Sequence, residues 1–315
     1  MTRKGVGRLQ ASLAYRSSAF YQWLAERWSI PKIPSRPPLH LDVLTLGGAA
    51  HLGMIREMLF SLAKSWPTWP RVTVATDGSL DAAEAQAALS FWPPETRPRV
   101  VEWRELLEPL RDGRRETEDL LRFAERDAMG RKLAAAAALA RAGDVLYTDV
   151  DVLWRGVPPS LDRWRGGSGP RLVLSTDIAA SYDPALVPER LPELVAPPHF
   201  CAGFFYARGD FLAAAQVGDL LGFAAERGIG LTEQTILAEA ARRLGGERFS
   251  LEEIALFEGD RYTLGPSVGK GTWAARHYVG QVRHLFYRDA ISQRFRRAAA
   301  SGQFSGPDLG RVRGS

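Results

Sequence analysis

Apolar positions along this chain alternate between two periods. Runs of largely apolar residues fall at 41–46, 71–76, 99–103, 145–148, 171–177 and 199–208. Each has the length and bounding turn residues of a buried strand. Between them the apolar spacing stretches to helical. Leu52, Ile55, Leu59 and Leu62 mark one helix. An alanine-rich segment capped by Ser79 or Asp81 and ending near Trp92-Pro93-Pro94 marks a second. A long helical stretch over 116–141 carries the alanine run 134–138, with Gly143 as its stop. Two more helices are expected over 209–226 and 232–244, the latter with Thr232 as N-cap. Strands alternating with helices predict an α/β fold: a mixed, mostly parallel sheet with helices on both faces.

The strand ends gather polar chemistry. The first runs into Gly47-Gly48, the second into Asp77-Gly78-Ser79 and the strand 171–177 into Asp177. Open α/β sheets bind ligands outside the carboxyl ends of their strands. The strand 145–148 ends in Asp149-Val150-Asp151 before returning to Val152-Leu153-Trp154. If the backbone stays extended, residues i and i+2 share a face, so both carboxylates point the same way. Two anions that close repel unless a cation or proton lies between them. Oxygen ligands suit Mg²⁺ or Mn²⁺ carrying phosphate and water. A metal-diphosphate site and a solvated aspartate turn are the two readings of this run alone. The glycines from Gly48 to Gly53 have P-loop spacing, but Met54-Ile55 stands where Lys-Ser/Thr is required, which excludes a P-loop.

Composition narrows the classes. The chain has 315 residues, 45% hydrophobic and 24% charged, ordinary for a protein with a full core. A net charge of +5 suits an anionic small ligand and is too mild for nucleic acid. The single cysteine, Cys201, excludes an internal disulfide and a cysteine-based zinc site; it reads as buried and inert rather than nucleophilic. No apolar run is long enough to span a bilayer and no secretory segment is evident, so a cytoplasmic protein is expected. Residues 1–38 read as an appendage ending in a proline-rich connector, 39–287 as the main domain and 288–315 as a basic tail. Within 1–30, Arg3, Lys4, Arg8 and Arg16 interleave with Leu9, Leu13, Tyr15, Phe20, Trp23 and Leu24. Such a helix either lies on a membrane surface or packs on the main domain, the second being the plainer reading. The loop from Gly265 through Lys270 to Thr272 suits a phosphate contact.

The order of these pieces resembles the GT-A glycosyltransferases that use nucleotide-diphospho-sugars, with some likeness to glycogenin-type enzymes. The residues that carry the resemblance are Asp149-Val150-Asp151-Val152-Leu153-Trp154, the strand Cys201-Ala202-Gly203-Phe204-Phe205, the pair Glu233-Gln234 and the ending His277…Gly280…Arg283. It spans about residues 41–286. Each motif alone is weak; their order is the specific part. The resemblance implies a donor, most often a UDP-sugar, held through Mn²⁺ or Mg²⁺, and a saccharide or glycoconjugate acceptor. It implies Asp151 and His277 as direct metal ligands, with Asp149 shared between the metal and the ribose or sugar. It implies Lys132, Gly280 and Arg283 at the diphosphate, Gly47, Gly48, His51 and Asp77 at the base and ribose, and Val150 and Gly203 beside the donor. Asp177, Glu233 and Gln234 fall to the sugar and acceptor, and the implied chemistry leans to retention of configuration. Cys201 stands where the family usually has Asn, and Glu233 where it often has Asp.

Plainer readings stand beside these. His277 also suits an aromatic cluster with Tyr278, Asp177 a strand-end turn, and Glu233 the first turn of a helix, where the dipole favours an acid. Two rival functions remain at this level: a Mg²⁺-dependent phosphatase using Asp149 as nucleophile, and a nucleotide-sugar binder without turnover. The phosphatase class places its D-x-D near the start of its core, whereas three strand-helix units precede Asp149 here.

Overall fold

A computed structural model of the chain describes residues 8–265 and 272–294. The glycine-lysine stretch 266–271 and the tail 295–315 lie outside the described residues, as do Arg3 and Lys4. The first helix is α1 (Arg8–Arg27). Strand β1 (Pro38–Leu46) leads through a 3₁₀ turn, Ala49–His51, into α2 (Leu52–Ser65). Strand β2 (Trp69–Thr76), α3 (Ala82–Ala88) and β3 (Arg99–Glu102) repeat the unit. Then come α4 (Arg115–Arg126), α5 (Ala128–Ala140), β4 (Val145–Thr148), β5 (Val152–Trp154), α6 (Leu161–Trp164) and β6 (Arg171–Asp177). The last part holds β7 (His199–Arg208), α7 (Phe211–Ala214), α8 (Gly218–Arg227), α9 (Gly230–Arg243), β8 (Arg248–Phe249), β9 (Ile254–Ala255), β10 (Ala275–His277) and α10 (Phe286–Arg294).

Seven strands form one sheet in the order β3-β2-β1-β4-β7-β6-β8. Strands β3, β2, β1 and β4 run parallel, β7 is antiparallel to both β4 and β6, and β8 is parallel to β6. Strand alternation divides the core between two faces. Leu44, Val145, Tyr147, Leu174 and Phe205 face one cluster with the alanines of α5 and with α9. Val43, Val74, Leu146, Val173 and Phe204 face the other, with α2 and Trp66, Trp69, Trp92 and Trp154. The α/β architecture expected from periodicity is the one observed.

Local expectations fail at several places, and the single helix expected over 209–226 is split into α7 and α8. The helix expected over 116–141 is broken. Asp127 adopts extended φ/ψ and its side chain accepts from the Met129 N–H, ending α4 and capping α5. Thr232 is not the N-cap of its helix; α9 begins earlier, and the Thr232 hydroxyl accepts from Ile229 N at 2.8 Å while donating to Asp183. At the cap of α3, Asp81 accepts from Glu84 N, while Ser79 is bound to Asp77. The largest difference concerns Asp149-Val150-Asp151. The backbone does not stay extended but turns, and β5 leaves the main sheet for a small second one, β5-β10-β9. This turn carries the chain from one sheet to the other and brings β10 antiparallel to β5, with His277 opposite Val152.

Candidate metal centre

The two aspartates lie at the junction of the two sheets. Asp149 follows the carboxyl end of β4, where its N–H donates to the carbonyl of Gly203 in β7 at 2.8 Å. Asp151 opens β5 and is 1% exposed. From the small sheet, His277 on β10 places Nε2 3.1 Å from Asp151 Oδ1 and 3.6 Å from Asp149 Oδ2. Among the described residues these three form the one cluster of acid or imidazole groups with metal-ligating spacing, their ligand atoms all within 4.8 Å of one another. The carboxylates converge although the strand bends. The convergence is made by a turn and a neighbouring strand, not by a shared strand face.

Gly203 makes the approach sterically feasible. A Cβ there would lie 2.1 Å from His277 Cε1 and 2.8 Å from Asp149 Oδ2. No side chain fits, which accounts for a glycine inside a central strand.

Buried Asp151 Oδ1 and His277 Nε2 face each other at 3.1 Å and have no other hydrogen-bond partner. Two lone pairs at this distance need a proton or a cation between them. Oxygen, oxygen and imidazole nitrogen are donors that Mn²⁺ and Mg²⁺ accept. The donor set, the orphaned atoms and the glycine cradle therefore fit a divalent ion. Without one, the proton lies on His277. Burial alone would lower its pKa, but Asp151 and then Cys201 raise it well above the ordinary histidine value. Burial pushes the Asp151 carboxyl up, and His277 and Arg283 more than reverse this, leaving it below the usual carboxylate range.

A ring of basic and polar groups surrounds the triad. Arg283 lies just after Gly280, whose φ of 59° belongs to the left-handed region that favours glycine. The turn lets the guanidinium return to Asp151 Oδ2, with Nη2 at 2.7 Å and Nε at 2.9 Å, while most of its side chain stays exposed. Lys132, from α5, is fully buried with Nζ 3.6 Å from Asp149 Oδ1 and 3.3 Å from Glu233 Oε1. Burial lowers the Lys132 pKa, yet Asp149 first and Glu233 second restore it above its ordinary value. Burial raises the Glu233 carboxyl; Lys132 opposes this and Asp149 adds to it, and the group comes to about 7.

The other candidates divide into two groups. Gln234 is in contact with the wall of the site: its Oε1 accepts from Ala202 N at 3.3 Å and its Nε2 donates to Ser181 O at 2.8 Å. Asp177, at the end of β6, accepts from Ile178 N at 2.7 Å. Burial raises its pKa, and His277 and His199 are near enough to pull it back partway. Gly47, Gly48, His51 and Asp77 form a separate group at the ends of β1 and β2. A Cβ on Gly48 would lie 2.4 Å from Ser79 Oγ and 2.5 Å from Asp77 Oδ2, so the glycine is what lets the two strand ends meet. Gly47 bridges the groups, since a Cβ there would touch Val150 Cγ1 at 3.2 Å. Asp77 is occupied by the Ser79 hydroxyl, which lowers its pKa. His51 is exposed at the start of α2, and no hydrogen bond links it to the triad among the described contacts.

Two participants have no counterpart among the sequence candidates. Tyr147 donates its hydroxyl to Asp149 Oδ1 at 2.8 Å and lies under the Lys132 ammonium, 4.8 Å from ring centroid to Nζ. Its place two residues before Asp149 on β4 was the available signal. Cys201 is buried, as expected, but its Sγ lies 3.6 Å from His277 Nδ1. Only the approach of the small sheet to β7, between residues 76 apart in sequence, makes that contact.

No protein-family model and no curated protein matches the sequence. Among solved structures, the bifunctional glycosyltransferase WbbM in its apo form superimposes with a TM-score of 0.52 at 12% identity, over 85% of this chain and 51% of that one. This chain therefore spans about half of WbbM. The galactosyltransferase LgtC, in complex with donor and acceptor sugar analogs, matches with a TM-score of 0.47 at 15% identity, over 80% of this chain and 95% of that one. Mouse xyloside xylosyltransferase 1, apo form, also gives 0.47, at 12% identity, over 78% and 99%. With its mostly parallel sheet, crossed helices and acidic turn at the sheet junction, the chain has the fold of the GT-A glycosyltransferases.

Proposed function

We propose that this protein is a metal-dependent glycosyltransferase that moves a sugar from a nucleoside-diphosphate donor to an acceptor hydroxyl of a saccharide or glycoconjugate. The observation that carries the reading is the convergence of Asp149, Asp151 and His277, two of whose facing atoms are buried with only each other as partner, on a GT-A fold. Asp151, His277 and Asp149 would hold the ion, Mn²⁺ or Mg²⁺. When bound it supplies Lewis-acid neutralisation of the donor diphosphate.

The chain's own residues supply the rest. Arg283 is anchored at one end of its guanidinium and exposed at the other, so it can grip a diphosphate oxygen without leaving Asp151. Lys132 pairs with Asp149 and braces its carboxylate from below. Gly47, Gly48, His51 and Asp77 form the side for base and ribose, most often uridine. Gln234, Glu233 and Asp177 form the sugar and acceptor side, with Gln234 braced on two backbone groups. Retention is the stereochemistry the resemblance implies, and cytoplasmic placement goes with the reading.

A donor screen tests this: nucleoside-diphosphate release from UDP- and GDP-sugars at fixed Mn²⁺, with calorimetry of UDP and GDP. Metal-dependent diphosphate binding abolished by Asp151→Ala, together with release from at least one donor, is the expected result. Hydrolysis of a generic phosphoester without diphosphate binding would overturn the transferase in favour of a phosphatase. Binding without turnover across donors and acceptors would leave a binder.

A further inference from the structure

Five of the twelve large hydrophobic side chains exposed among the described residues fall between Leu13 and Trp28. The rest are spread over more than 80 positions, from Ile178 to Leu264. Four of these five lie on α1, and Trp28 follows its last residue; the two sides of the helix behave differently. Ala14 and Ala25 are buried against the domain. The carbonyl of Ala25 accepts from Arg56 and Arg294, both paired with buried Glu57. Tyr15 rests its ring on His284 at 4.1 Å. The helix is thus fixed to the domain and does not need its other side for docking.

That other side carries Leu13, Arg16, Phe20, Trp23 and Arg27, all exposed. At 100° per residue they fall within about an 80° arc, one continuous stripe. Phe20 is 57% and Trp23 48% exposed, and their rings stack at 6.1 Å. The Arg27 guanidinium lies 4.7 Å from the Trp23 ring. An aromatic ridge flanked by cations has no use for water on its rings but needs anions near its ends. Over residues 1–30 five basic side chains stand against the single acid Glu26.

We propose that this stripe docks the protein on a bilayer surface containing anionic phospholipid, with Phe20 and Trp23 entering the interface and Arg16 and Arg27 meeting headgroups. A second copy is the poorer occupant, because a self-pairing would bring the arginines of one stripe against those of the other. The same helix touches His284, next to Arg283, through Tyr15 on its domain side. The inference stands on α1 and does not depend on the transferase reading.

Flotation of the full chain with vesicles tests it, using equal parts phosphatidylglycerol and phosphatidylcholine against phosphatidylcholine alone. The wild type is expected to float with the anionic vesicles and to be released by raised salt. Arg16→Glu/Arg27→Glu should lower the partition by about fivefold or more for each arginine, and Phe20→Ser/Trp23→Ser by on the order of tenfold. All four side chains are exposed, and circular dichroism with an unchanged melting midpoint checks that the variants fold. Failure of the wild type to float with anionic vesicles, or equal flotation of the variants, overturns the proposal. A dimer in sedimentation that Phe20→Ser/Trp23→Ser dissociates, without vesicle binding, also overturns it and assigns the face to self-association.

Discussion

Two charged clusters meet on β10, one on each side of the strand. Arg276 and Tyr278 project to one side and His277 to the other, as strand alternation requires. On the first side, Arg276 is bound by Asp260 through both guanidinium ends at 2.8 and 2.9 Å. Asp289 accepts from Tyr278 at 2.9 Å and from Arg288 at 2.9 Å. Every charge there has a partner of opposite sign. On the second side, His277, Asp151 and Asp149 present acids and an imidazole to one point, and two of the atoms have only each other. Burial is the same on both sides, with Arg276 1% and His277 2% exposed. What separates them is satisfaction. A closed network is architecture, whereas an unsatisfied one has been left for a visitor.

The comparison breaks if the two clusters respond alike to substitution. Asp289→Ala leaves Arg276, Arg288 and Tyr278 without their shared acid in a buried setting. Breaking such a network costs about 3–5 kcal/mol, a large share of a domain's stability. Denaturant midpoints should fall sharply, while the protein that remains folded keeps its Mn²⁺ affinity to within a few fold. Asp151→Ala should do the opposite. It removes a ligand worth several kcal/mol of charge stabilisation, so Mn²⁺-dependent diphosphate binding falls by on the order of 10²–10³-fold. Its effect on the melting midpoint of the metal-free protein should be smaller than that of Asp289→Ala, because His277 can then release its proton and the exposed Arg283 can turn to solvent. If Asp151→Ala unfolds the protein and Asp289→Ala only weakens metal binding, the division is wrong.

Gly203→Ala sharpens the same point at a smaller scale. One methyl group would collide with His277 Cε1 and Asp149 Oδ2. Displacing His277 by about an ångström or more, and Asp149 by less, costs at least as much as loss of a supporting contact, which typically lowers metal affinity by roughly 10–100-fold. Calorimetric titration with Mn²⁺ reads this directly. Unchanged affinity would mean that the triad shifts freely and is not a rigid site.

How far these features were readable in the sequence follows from how local their causes are. Strands β1, β6 and β7 and their faces come from runs of apolar residues, which record burial directly. The acidic turn was visible because two aspartates interrupt such a run. Its geometry was not, because extended backbone is the default assumption and the turn at Val150 arises from β5 crossing to a second sheet. That sheet has strands of two or three residues, too short for periodicity to register. The break at Asp127 is hidden for a related reason: helical spacing continues across it, and only the cap chemistry of one residue ends α4. Cys201 beside His277 depends on how the small sheet packs against β7, so no local pattern could announce it.

The smallest effect is a slope with pH, and its sign separates metal from proton. In the metal-free protein His277 is held protonated above the ordinary value of about 6.5 by Asp151. A raised folded-state pKa stabilises the fold below the unfolded value, and that contribution is lost as pH rises through the folded one. Metal binding needs the neutral imidazole and must expel the same proton. Apparent Mn²⁺ affinity should therefore rise with pH, by about tenfold per unit while His277 remains protonated, over the same window in which this histidine's share of metal-free stability declines. Opposite slopes, measured by Mn²⁺ titration and by denaturant melts with chelator across the range above 6.5, are expected. His277→Gln should flatten both. Parallel slopes, or a pH-independent affinity in the wild type, would mean that the proton and the ion do not share His277 Nε2, and the imidazole would then return to the role of a packed neighbour of Tyr278.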